Sequence, residues 1–266
     1  MTYSAKLLCA VLSTTLLLSG CFDHNPKEDA KIQALRDKIS GRHENENKTV
    51  KRDPQRVLAE TAGLSVQGNL SDTLKARITT QWVNLDNDSL ITDDSAIAKY
   101  QQLSQQGLIQ PHALDPKANL AGLKEQEKIA KVYLVKAASG DYSEIVLPIR
   151  GMGYFDMLYG YLALDLHTLK ITRIGFYQNA ETPALGGQVM TNQQWAAKFA
   201  GKSIFKSGQP DFRLTKGGEQ QDDYSVDGIS GATHTSRGVQ NLINYWCGNQ
   251  GYGPLLTLLQ YQYTKQ

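Results

Sequence analysis

The chain has 266 residues, of which 41% are hydrophobic and 20% charged, an ordinary balance for a globular protein that excludes wholesale disorder. Its 28 basic and 26 acidic residues leave a formal net charge of +2. No basic run is interleaved with aromatics, so no nucleic-acid partner is expected.

The N-terminus is the first segment with a message. Lys6 precedes an apolar run over 7–18, which closes with Ser19-Gly20-Cys21. That run is shorter than the roughly 20 residues that span hydrocarbon, and a basic start, short apolar core and small-residue ending form an export signal. Leu18-Ser19-Gly20-Cys21 resembles the bacterial lipobox. The resemblance implies cleavage before Cys21, lipidation of its sulfur, and a membrane anchor. The alternatives are an uncleaved helix over 5–22 and a soluble secreted chain; all three put the remainder outside the cytoplasm. Of the three cysteines, Cys9 would be discarded and Cys21 consumed, leaving Cys247 as a lone thiol. Their spacing suits neither a disulfide framework nor zinc.

Four segments follow: a signal or anchor over 1–20, a polar tether over 21–56, the N-terminal part of an extracytoplasmic domain over 57–127, and a last domain over 128–266. A helix is expected from Pro54 to Ala62, stopped by Gly63, and a short one near 95–105. Strands are expected at 129–136, 144–149, 160–165 and 169–177, with turns at Ser139-Gly140-Asp141 and His167-Thr168. A helix over 192–200, a strand over 211–216 and a tight loop at Lys216-Gly217-Gly218 come next. The last strong element is a helix beginning near Thr235. Its Val239, Leu242, Ile243 and Trp246 share one face, and Gly248, Gly251, Gly253 and Pro254 prevent its continuation. Strands first with helices at intervals argue for an α+β fold, an antiparallel sheet with packed helices.

Chemistry concentrates in Asp227-Gly228-Ile229-Ser230-Gly231-Ala232-Thr233-His234-Thr235. Two glycines and an alanine let the backbone approach a ligand. A helix then opens, and its free N–H groups and positive dipole end suit a phosphate. From spacing alone, an ordinary Thr or Ser N-cap explains the pattern at least as well. The five histidines show no ligand spacing, so no metal is expected. No nucleophile–His–carboxylate set stands out, and no catalytic residue is assigned. Trp246 reads as core and Cys247 as a buried or half-buried bystander.

The same segment resembles the target of the bacterial flavin transferase, which joins FMN through its phosphate to a Thr or Ser following Gly-Ala. The resemblance implies a phosphoester on Thr233, with Asp227, Gly228, Ser230, Gly231, Ala232 and Thr235 around the cofactor. Thr235 and Ser236 would be helix caps or phosphate donors. The wider match is carried by Leu147-Pro-Ile-Arg-Gly-Met-Gly153, Glu181-Thr-Pro-Ala-Leu-Gly-Gly187, Lys216-Gly-Gly218 and Asn244-Tyr-Trp-Cys-Gly-Asn-Gln-Gly-Tyr-Gly-Pro254. In this order and spacing they resemble the C-subunit family of sodium-translocating NADH:quinone reductases, over roughly 55–260. The related G-subunit family of electron-transport complexes shares Glu-Thr-Pro and Gly-Ala-Thr but lacks the aromatic-rich ending.

The resemblance implies that Glu181, Thr182, Leu185 and Gly186 lie against the isoalloxazine ring, and that Lys216 adds charge near the phosphate or the ring. Gly151 and Gly153 read as a strand-to-turn bend. It further implies a covalent-FMN electron carrier in a complex that passes electrons from NADH toward ubiquinone and exports sodium ions. The partners would be the other components of that complex, a flavin transferase and the inner membrane, with the flavin domain on the periplasmic side. The lipobox, Phe22 after it, and Ala184 where glycine is usual depart from the family pattern. The rival readings are a stand-alone FMN lipoprotein serving extracytoplasmic partners and an unflavinylated lipoprotein adaptor.

Overall fold

The computed structural model describes residues 48–112 and 114–264; the export signal, Cys9 and Cys21 lie outside them. No helix among the described residues is long and apolar enough to cross a membrane. The elements are β1 (Val50–Lys51), α1 (Pro54–Thr61), α2 (Leu70–Arg77), β2 (Ile78–Asn84), β3 (Ser89–Ile91), α3 (Asp94–Gln105), β4 (Ile129–Lys136), β5 (Tyr142–Met152), β6 (Met157–Asp165) and β7 (Ile171–Asn179). There follow α4 (Gln188–Thr191), α5 (Gln193–Ala197), β8 (Phe205–Lys206), β9 (Gln209–Pro210), β10 (Arg213–Thr215), β11 (Ser225–Asp227), α6 (Thr233–Trp246) and α7 (Gly253–Thr264).

A seven-stranded antiparallel sheet in the order β1-β7-β6-β5-β4-β2-β3 forms the frame, which is the α+β architecture expected. Side chains alternate between its faces. On β6, Leu158, Leu162 and Leu164 enter the larger core, while Tyr161 and Ala163 enter a smaller one beneath α1. On β5, Ile145, Leu147 and Ile149 face the first and Val146 the second. A sheet buried on both faces explains why these strands read as continuous apolar runs rather than clean alternation. β5 and β6 are longer than expected, because Tyr142, Met157 and their neighbours still carry ladder pairs at the rims.

Several boundaries differ from expectation. The polar tether expected to reach residue 56 is structured from Val50, which pairs with Asn179. Residues 57–127 contribute β2, paired with β4 along its whole length, so the sheet continues across residue 128. The mixed composition of Ile-Thr-Thr-Gln-Trp-Val-Asn hid that strand, because only Val83 is fully buried. The helix expected over 192–200 is the shorter α5, capped by Asn192, whose side chain accepts from Trp195 N, and a further short helix, α4, precedes it. β10 pairs in parallel with β11 in a separate two-stranded sheet. α6 ends at Trp246 with Cys247 as its C-cap, and Gly253 and Pro254, expected only to prevent continuation, open α7, since proline in a first turn needs no donor.

Helix α6 lies on the larger core. Val239, Leu242, Ile243, Trp246 and the neighbouring Cys247 are fully buried, as the apolar stripe required. Burial pushes the Cys247 thiol up, so it stays protonated and inert. Trp246 Nε1 donates to the Arg150 carbonyl at 2.6 Å. Gly238 seats the helix against the end of β5, where a Cβ would come within 2.3 Å of the Met152 carbonyl oxygen.

Candidate functional site

Strand β11 delivers the chain to the start of α6. The Asp227 carboxylate accepts from Gln221 Nε2 at 2.8 Å and pairs with Lys198 at 3.4 Å, and its carbonyl accepts from Trp195 Nε1 at 2.9 Å. These contacts occupy Asp227 with holding the strand end. Gly228 N donates to the Thr215 carbonyl at 2.8 Å. Ile229 is buried and its N–H donates to Ser236 Oγ at 2.9 Å, which closes the loop onto the helix. Gly231 has φ +74°, a left-handed value that costs a side-chain-bearing residue.

The helix then begins two residues earlier than expected. Ala232 is its N-cap and supplies no side-chain hydrogen bond. The first-turn N–H groups therefore lack a capping side chain, and the dipole end is open to an anion. Thr233 and His234 are exposed, whereas Thr235 and Ser236 are buried on the core side. Neither Thr235 nor Ser236 is the helix cap, which is Ala232; Ser236 borders the cleft beside Thr233, and its Oγ accepts from Ile229 N–H. Helical spacing turns Thr235 inward.

Thr235 instead donates to Glu181 Oε2 at 2.5 Å. Glu181, only 1% exposed, accepts at Oε1 from Tyr154 N at 2.9 Å and Phe155 N at 3.0 Å. Its own N–H donates to Asn179 Oδ1 at 2.9 Å. Both carboxylate oxygens are thus taken up within the protein, and Glu181 ties three segments together rather than presenting a surface of its own. Two glycines make room for it: a Cβ at Gly153 would sit 2.4 Å from Oε1, and one at Gly186 2.5 Å from Oε2. This, not a bend alone, is what Gly153 is for. Gly151 likewise clears Leu242 Cβ, 2.6 Å from where its own would be. The 181–187 loop is closed by the Thr182 carbonyl, which accepts from Leu185 N and Gly187 N at 3.0 and 2.9 Å. Leu185 is left 44% exposed, its Cδ2 3.1 Å from a Cβ built on Gly231.

On its other side Thr233 borders an open cleft of about 550 Å³, shared with Ser230, Gly231, Lys216, Arg237 and Gln240. Lys216, expected from the sequence, and Arg237, which was not, have no ion-pair partner among the described residues. Arg237 stands four residues after Thr233, on the same face of α6. That spacing was the available signal. The Gly-Ala-Thr turn touches the Glu-Thr-Pro loop through Thr235 and Gly231 and shares the cleft with Lys216 and Gly217 of the Lys-Gly-Gly loop. Among the described residues no cluster of His, Cys, Asp and Glu could hold a metal ion.

The profile of the FMN-binding domain family matches residues 153–248, which spans the Glu181 loop, the cleft and α6. The chain is 34% identical over 210 residues to the C subunit of the Na(+)-translocating NADH-quinone reductase of Yersinia pestis, covering 77% of this chain and 78% of that one. It is 36% identical over 226 residues to the C subunit from Pseudomonas aeruginosa, covering 78% and 82%. The chain belongs to the C-subunit family of Na(+)-translocating NADH-quinone reductases. The crystal structure of Shewanella oneidensis NqrC aligns with a TM-score of 0.66 at 29% identity, over 78% of this chain and 96% of that one. Members of this family are subunits of a membrane-associated oxidoreductase complex, and the FMN-binding domain makes the chain a flavin electron-transfer subunit.

Proposed function

We propose that Thr233 carries FMN as a phosphoester, and that the chain relays electrons between partner cofactors on the path from NADH toward ubiquinone while other subunits move sodium ions. The observation that carries this reading is the exposed Thr233 hydroxyl on an uncapped helix start, beside Lys216 and Arg237, neither of them ion-paired among the described residues. A phosphodiester anion is matched there by the dipole end, by first-turn N–H groups and by two cations. Thr235, buried against Glu181, is not available for the same linkage. Bound FMN supplies one- and two-electron redox chemistry; the protein supplies position and electrostatics.

Attachment exchanges the Thr233 O–H bond for an O–P bond. A flavin transferase takes the proton and breaks the phosphoanhydride of its activated flavin donor, releasing the leaving group. The ring is untouched, so Leu185 and the surface beside it act on an unmodified isoalloxazine. Export through the 1–20 segment, with lipid on Cys21 or a single span as anchor, places the flavin domain on the periplasmic side of the inner membrane.

Co-expression with a flavin transferase tests the linkage. A fluorescent band is expected on a denaturing gel for the wild type and none for Thr233→Ala, whereas a dark wild-type band would leave the adaptor reading standing. Intact-mass analysis reports Cys21 processing at the same time. The lipobox favours a second reading, a stand-alone FMN lipoprotein, and co-purification with integral membrane subunits decides between the two.

A further inference from the structure

Beside the Thr233 hydroxyl lies a surface that neither the linkage nor the phosphate uses. The ring of Tyr154 stacks on His234 with centroids 5.0 Å apart and an interplanar angle of 27°. Phe155 packs edge-on to Tyr154 at 4.5 Å and 72°. Tyr154 is 56% exposed and Phe155 44%. His234, the residue after Thr233, is exposed as well. Large aromatic faces left in water at a helix start cost apolar exposure that the core offered no reason to leave. None of these residues lines the cationic cleft. Charge thus lies on one side of Thr233 and flat apolar surface on the other.

The pair is held in place from beneath. Glu181 Oε1 binds the backbone N–H of Tyr154 and Phe155, and Oε2 binds Thr235 in the same first turn that carries His234. Gly238 lets the helix touch the Met152 carbonyl, two residues before Tyr154. The platform is therefore bonded to the first turn of the helix that bears the attachment site, which is what orienting a tethered ring requires.

From this juxtaposition we propose that the Tyr154–His234 stack is a positioning surface for the isoalloxazine ring of an FMN held at Thr233. The inference rests on the Thr233 reading. Its physical basis is that a planar aromatic tricycle gains from offset stacking and from covering apolar area, while a cationic phosphate cleft supplies neither. Glu181 acts on the ring only through the residues it holds.

The test uses the full-length chain flavinylated by co-expression, with Tyr154→Ala, Tyr154→Phe and His234→Ala. In-gel fluorescence after denaturation is expected to be equal in the wild type and the two Tyr154 variants, because attachment depends on Thr233; His234→Ala, which alters the residue after the acceptor, is compared per bound flavin. The visible circular dichroism of the flavin is expected to fall severalfold in Tyr154→Ala and partly in His234→Ala, with a shift in midpoint potential. Tyr154→Phe is expected to retain the dichroism, since it keeps the stacked face. Unchanged dichroism and potential in Tyr154→Ala, with the flavin still attached, would overturn the platform alone. The same is true if that variant loses only co-purification with other subunits, which would make the patch a protein contact. A wild-type band without flavin overturns the linkage and the platform together.

Discussion

The two ends of α6 are built from similar sequence and have opposite fates. Each is glycine-rich and each has aromatic neighbours. At the C-terminal end the glycines are filled by backbone: a Cβ on Gly251 would lie 2.5 Å from the Trp246 carbonyl oxygen, and one on Gly253 2.7 Å from that of Gly248. Trp246 stacks on Tyr252 at 5.2 Å, and both are buried. At the N-terminal end, Gly231 keeps its left-handed turn in the open, and the stacked pair, Tyr154 and His234, is exposed. Glycine permits close approach in both places. At one end the approaching group is the protein itself, and at the other it is left for something else.

On the scale of folding stability, the largest effect should come from the closed end. Trp246→Ala is expected to cost about 3–5 kcal/mol in denaturant unfolding, through a large cavity and a stranded Arg150 carbonyl. Gly251→Ala is expected to cost about 1–3 kcal/mol by overpacking alone, since its φ is not left-handed. At the open end Gly231→Ala meets no backbone and should cost only about 1 kcal/mol, from its positive φ. Equal losses at the two glycines would break the comparison.

Glu181→Ala probes the link between the open end and the frame. It leaves the Tyr154 and Phe155 N–H groups and the Thr235 hydroxyl without an acceptor, at about 1–3 kcal/mol. It should also loosen the Tyr154–His234 stack, seen as faster hydrogen exchange at Tyr154. Thr233→Ala is expected to leave stability within about 0.5 kcal/mol while abolishing in-gel flavin fluorescence, the separation that an open site demands.

The smallest effect concerns the approach to the site and depends on pH. The Ser225 hydroxyl, with the Tyr224 N–H and the Arg213 guanidinium, holds the Asp222 carboxyl down to about 2 from its ordinary 3.8. The folded state therefore binds fewer protons at this group. Its contribution is complete above 3.8 and disappears as pH falls through about 2. Backbone amides of 224–227 should exchange faster across that window, and Asp222→Asn should remove the pH dependence.

Much of the molecule was legible in the chain because its signals are local. The four central strands, the apolar stripe of α6 and the Gly-Ala-Thr turn are each specified within a few residues by period and turn chemistry. The strand β2 was not, because it is paired along its whole length with β4, 45 or more residues away along that pairing. Tyr154 was missed for a related reason: an exposed side chain in a turn carries no periodic signal, and only the assembled surface shows what it faces; Arg237 had the four-residue helical spacing from Thr233 as its only signal.

For the site, the sequence by itself determined that a helix opens after a glycine-rich turn, and only a resemblance marked Thr233 as the acceptor. It could not say which hydroxyl faces solvent, nor that Glu181 is occupied inside the protein. The tertiary structure decided both. A side chain's orientation follows from which face of its helix the core claims, and a carboxylate's availability from which N–H groups reach it first; both are properties of packing between segments that lie far apart in the chain.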